Sequence, residues 1–122
     1  MDPSLAADGV AEVLDVMYGG EPPAGVVFER RPGLVGVRLT DVDRTLRVAV
    51  GRLVGRAEDG RDLTGAHLLL TEEYAEPTTV VAGTAADVDR WLWKRAGDDV
   101  VAWSGDPTGR EAFLAAVRPP ID

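Results

Sequence analysis

The residues of this chain that could do chemistry are few: His67, the acidic pairs Glu72/Glu73 and Asp98/Asp99, Ser104 beside Gly105, and three tryptophans. His67 could ligate a metal, but such a site needs several His, Cys or carboxylate groups at converging spacing. It is the only histidine, cysteine is absent, and no ligand stands two or four positions away. His67 therefore reads as a partly exposed strand residue. The acidic pairs could bind calcium or act as acid and base, yet neither has calcium-loop spacing, and adjacent carboxylates in turns read as solvated. Ser104 lacks the Gly-x-Ser-x-Gly frame of a nucleophile elbow and reads as a strand end. Gly51 and Gly55 have the spacing of a membrane-helix dimer, but Arg52 and Arg56 exclude that setting, so the pair reads as a bend in a strand. Glycine-rich phosphate loops are absent. No catalytic residue, metal or cofactor is assigned, which points away from an enzyme.

Trp91, Trp93 and Trp103 fall within residues 83–106, with all the indole area of the chain. Thr84 followed by Asp87 is a capping-box start, and Val88, Trp91, Leu92 and Arg95 recur on one helical face. Gly97 is the expected stop, and residues 100–103 read as a short strand. Trp91 lies on the buried face. Trp93, about 100° round the helix from Leu92, cannot share the centre of a narrow stripe with it. It either widens the buried face or lines a cavity or an interface, where tryptophan is favoured. Trp91, Trp93 and Trp103, with Met17 from the first helix, are the candidate lining of a ligand pocket or interface.

The elements that must position them follow from periodicity. Residues 4–18 predict a helix with Val10, Val13, Leu14 and Met17 on one face. Gly9 weakens its first turns, so Asp8 is an alternative N-cap, and Gly19-Gly20 with Pro22-Pro23 end it. Strands are expected at 26–30, 34–40 and 46–50, with turns at 31–33 and 41–44 and the last two strands forming a hairpin. One apolar and one polar face suggest a sheet wetted on one side. Residues 51–65 are ambiguous between a strand extension and a further strand. Residues 66–71 and 78–83 are strands flanking an acidic surface loop at 72–77. Residues 107–118 predict a final helix with Phe113, Leu114 and Val117 inward. Its cap is either Asp106 before Pro107 or Thr108 with Glu111. The sum is one α+β domain over 1–122, a mostly antiparallel five- or six-stranded sheet flanked by helices.

Composition bounds the partners. With 122 residues the chain is one domain, and its net charge of −8 with dispersed arginines disfavours nucleic acid. Neither a secretory leader nor an apolar run of membrane-spanning length is visible, so a cytoplasmic protein without a membrane span is expected.

The run Val81-Ala82-Gly83-Thr84-Ala85-Ala86-Asp87-Val88-Asp89-Arg90-Trp91-Leu92-Trp93-Lys94-Arg95, then Val101 and Ser104-Gly105-Asp106, resembles an actinobacterial domain. It is the C-terminal domain of the mycothiol-dependent maleylpyruvate isomerase family. Residues 6–14 resemble the helix with which that domain starts, and residues 51–77 fit least well. The resemblance implies a sterol-carrier-protein-like fold able to enclose an apolar cavity. In the two-domain isomerases the metal site lies in an N-terminal DinB-like domain, which this sequence lacks, so no ligand or catalytic role is carried over. Three functions follow as expectations: a stand-alone binding or interaction module, acting with a DinB-like protein or as a homodimer; a carrier of a lipid or other apolar small molecule; or an accessory half of a thiol-dependent isomerase or transferase.

Overall fold

Val26–Arg30 (β1), Val35–Leu39 (β2), Arg44–Gly55 (β3), Gly65–Thr71 (β4), Thr79–Gly83 (β5) and Ala102–Gly105 (β6) form a mixed, open six-stranded sheet. Pro3–Glu12 (α1), Ala85–Leu92 (α2) and Pro107–Val117 (α3) are the helices of this α+β fold. The computed structural model describes residues 3–18 and 22–117, and the side chains of 16–18 lie outside that description. Met17 is one of these, so its expected place in a pocket lies outside the described residues, as do Gly19-Gly20, expected to end the first helix, and Pro119-Pro120, the stop expected of the last.

β3 is the longest strand and organises the sheet. Its residues 44–48 pair antiparallel with β2, its residues 51–55 pair antiparallel with β1, and β4 lies antiparallel along its other edge. β1 and β2 thus run in one direction along the same edge of β3. Between Arg30↔Gly51 and Val35↔Val48, four residues on the β1–β2 side oppose two on β3. Arg31 donates its backbone N–H to Val50 across this bulge at 2.8 Å. Residues 31–33 therefore kink a nearly continuous strand and reverse nothing, because the extra residues are absorbed as a bulge. β5 joins β2 in parallel and β6 closes the far side antiparallel, so four of the five strand pairings are antiparallel.

Alternation places Val35, Val37 and Leu39 of β2, Leu46, Val48 and Val50 of β3, Leu68 of β4 and Val81 of β5 on one face. There they meet Val10 and Leu14 from the first helical segment, Val88 and Leu92 of α2, and Phe113 and Val117 of α3. The helix face expected from Val10, Val13 and Leu14 is buried, and Ala6 and Ala7 extend it. α1 starts at Pro3, before the alternative cap Asp8, and continues as a wider, π-type turn over Val13–Tyr18. Gly9 sits inside it where Asp89 of α2 packs; a β-carbon there would lie 3.3 Å from the Asp89 Oδ1 atom.

The opposite face is less wet than its polar residues suggest. The loop at 72–78 crosses it: Arg47 Nε donates to the Ala75 carbonyl at 3.1 Å, Arg30 pairs with Glu73 at 2.7 Å, and Pro77 lies against Gly36. Among the described residues no helix is long and apolar enough to cross a membrane.

Candidate functional site

The tryptophan segment begins as its side chains dictate. Thr84 is extended, and its hydroxyl accepts from the Asp87 N–H at 3.2 Å. Asp41, in the turn before β3, accepts from the Ala85 N–H at 2.9 Å, so two of the helix's orphan donors are met. The stop corrects expectation. α2 ends at Leu92, with Trp93 as its cap residue, and Gly97 is not its terminator. Lys94 takes the left-handed conformation at φ 63°. Lys94 N–H donates to the Trp91 carbonyl and Arg95 N–H to the Arg90 carbonyl, the double bond pattern of a Schellman stop. Arg95 consequently leaves the helical face assigned to it. Asp98–Val100 form a tight 3₁₀ turn, and the strand starts at Ala102 instead of Val100.

Two of the tryptophans come together and the third does not. Trp91 stacks on Phe113 with centroids 6.1 Å apart and planes at 7°, and Trp103 meets both rings edge to face at about 6 Å. Trp91 is 6% exposed. Its indole N–H donates to Asp98 Oδ1 at 2.9 Å, so a carboxylate read as solvated is the partner that lets the ring be buried. Arg110 lies over Trp103 at 5.5 Å from the ring centroid. Trp93 is half-buried and turns the other way, its side chain near the Asp89 carboxylate. Burial pushes the Asp89 carboxyl above its ordinary value, opposed by the nearby Trp93 indole and by Arg95. Its Oδ1 atom is buried without a hydrogen-bond partner.

Trp91 also walls a pocket of about 350 Å³ between the end of α2 and the end of α3, with Leu92, Lys94, Asp98, Leu114 and Val117. The Lys94 ammonium reaches the Val117 carbonyl, bridging the two helix ends. Loss of water holds this amine below the ordinary lysine value, with Asp98 acting in the opposite sense. Among the described residues the pocket's second wall is α3 and none of its lining comes from the first helix, and its polar groups are engaged in holding helix ends.

The roomier concavity lies elsewhere. A groove of about 630 Å³ runs between α3 and the far end of the sheet. Its floor is built by the alternation that makes the core. On β3 the residue after Leu46, Val48 and Val50 on the helix-facing side is Arg52; on β4 Ala66 follows Leu70 and Leu68; on β1 the same side carries Glu29. Ala112 and Ala115 of α3 are too small to fill the gap, and Arg30 and Arg31 stand at its rim. These residues were not among the sequence candidates. The available signal was an arginine continuing the inward-facing register of β3.

Asp106 and Thr79 fix the start of α3 beside this groove. Asp106 accepts from the Thr108 N–H and hydroxyl at 2.9 Å each, with Pro107 as the first helical residue. Those bonds hold its carboxyl below the ordinary value, with Arg31 adding to the effect. Buried Thr79 donates its hydroxyl to the Asp106 carbonyl at 2.6 Å. His67 packs edge-on against Phe28, with centroids 5.7 Å apart, and Ser104 lies in β6. Among the described residues no three His, Asp or Glu side chains gather as a metal would require. Compared with models of known families and with curated proteins, the chain matches none.

Proposed function

We propose that this chain is a non-catalytic binding module of sterol-carrier-protein-like fold, holding a small molecule in the open groove between α3 and the end of the sheet. The observation that carries the reading is the groove itself. At about 630 Å³ it is the size of a small-molecule site, and the small side chains of Ala66, Ala112 and Ala115 leave space where the core face runs out from under α3. The helix-first order, the sheet covered on one face by helices, and the Thr84-capped tryptophan helix support the family-level resemblance. The chemistry-bearing side chains of the tryptophan segment are engaged structurally, Asp98 with Trp91 and Asp106 with α3, which favours binding over catalysis.

Pairing with a second chain is a second reading, favoured by β4. Among the described residues its only strand partner is β3, and its sequence carries no proline or lysine to discourage strand addition. Native mass spectrometry of gently purified protein separates the two. A reproducible adduct of a few hundred daltons, removed by organic solvent, is the expected result. An unliganded mass in every preparation would sink the small-molecule reading, and a dimer mass would support the strand-pairing one.

A further inference from the structure

The groove differs from the rest of this acidic molecule in the sign of its charge. The chain carries 21 acidic residues against 13 basic ones, yet among the described residues the groove is lined by Arg30, Arg31 and Arg52 with a single carboxylate, Glu29. The three guanidinium groups are not equivalent. Arg30 is tied to Glu73 at 2.7 Å on the opposite side of the strand. Arg31 stands near enough to Asp106 to help hold that carboxyl ionised. Arg52 makes no ion pair and no side-chain hydrogen bond among the described residues, although Glu29 is its cross-strand neighbour. With Arg30 paired to Glu73 and Arg31 set against Asp106, Arg52 is the guanidinium of the groove left without an ion pair among the described residues, and Glu29 is the carboxylate opposite it. Arginine forks suit a planar carboxylate, which they can meet with two parallel bonds.

Beyond the arginines the lining loses its charge. Ala66 on the floor and Ala112 and Ala115 on the wall offer methyl groups and no polar side-chain atom. The groove is thus cationic along one side and aliphatic along the other, and it opens to solvent. We propose that it binds a small amphipathic monoanion, an aliphatic carboxylate of medium chain length, with its head on Arg52 and Arg31 and its chain along Ala66, Ala112 and Ala115. This deepens the binding-module reading and rests on it.

The test is calorimetric titration of the full chain with octanoate and with octanol, which share a chain length and differ in charge. Octanoate is expected to bind at least about tenfold more tightly. Arg52→Gln should lose that advantage while leaving octanol binding unchanged. Ala115→Leu, an exposed helical position, should weaken both by filling the groove; circular dichroism checks that both variants fold. Equal binding of octanoate and octanol, both weakened by Ala115→Leu, would overturn the anion assignment and leave the groove as a binding site. Binding that is untouched by both variants, or no binding of either compound, would overturn the assignment of the ligand to this groove. A neutral adduct in the native mass spectrum would keep the binding-module reading while removing the anionic one.

Discussion

Lys94 occupies a backbone conformation that glycine enters freely and a lysine enters at a cost of about 1 kcal/mol. The chain accepts that cost because the side chain, leaving the helix at this point, reaches the Val117 carbonyl at the end of α3. Two substitutions separate the opposing effects. Lys94→Ala keeps the strained backbone and loses the bond; Lys94→Gly loses the bond and relieves the backbone. The glycine variant should therefore be more stable than the alanine variant by about 1 kcal/mol, read from urea unfolding midpoints. The wild type should exceed the alanine variant by about 1 kcal/mol as well, the worth of one hydrogen bond from a charged donor that is still partly in water. Equal stabilities for the two variants would mean that Lys94 does not hold the left-handed position. The start of this helix was legible because a cap is written in local side-chain chemistry. Its stop was not: Gly97 bears the local mark of a terminator, and Lys94 bears none.

At the scale of elements, the strands were legible in type and place, and their connections were less so. β-rich composition identified β1, and alternation β2 and the first half of β3, but Pro32-Gly33 gives the same signal whether the chain reverses or bulges, so β1 and β2 could not be recognised as two halves of one path. The groove was half legible. Arg52 follows the inward register of Leu46, Val48 and Val50, whereas its facing wall, Ala112 and Ala115, comes from a helix sixty residues later that only the topology brings there. Two glycines at this end of the sheet should respond oppositely to a methyl group. At Gly51 a β-carbon would fall 2.1 Å from the Glu29 carbonyl oxygen, whereas at Gly65 it would meet nothing within 4 Å. Gly51→Ala should force β1 away from β3 and cost more than about 2 kcal/mol, while Gly65→Ala should stay within about 0.5 kcal/mol of the wild type. Amide hydrogen exchange would place the damage: the amides of Val26–Arg30 should lose protection in the first variant and keep it in the second. Similar losses in both would mean that β1 is not docked as closely as the register requires.

For the molecule as a whole, the acidic surface makes pH the informative variable, and two carboxylates should pull stability in opposite directions. Asp106 accepts two hydrogen bonds from Thr108, the backbone one first, and its carboxyl lies below the ordinary range. Between the lowered and the ordinary value the unfolded chain binds the extra proton, so this contribution is complete above the ordinary value and is lost as pH falls through the lowered one. Asp89 is the reverse case. Burial against α1 raises its carboxyl, and neither the nearby Trp93 indole nor Arg95 offsets this. Here the folded chain binds the extra proton, so a penalty is absent below the ordinary value and complete once pH has risen through the raised one. Asparagine replaces each carboxylate with a neutral group of similar shape. Asp106→Asn should therefore be less stable than the wild type near neutrality, with the deficit shrinking in acid. Asp89→Asn should be more stable near neutrality, by up to about 1 kcal/mol, with the gain likewise shrinking in acid. Urea midpoints of the three proteins at about pH 7 and about pH 3 read both trends. Because general charge repulsion changes with pH in the same way for both variants, only the local environments can give the two differences opposite signs. A deficit for Asp89→Asn at neutral pH would show that the Trp93 and Arg95 contacts outweigh the cost of burying that carboxylate.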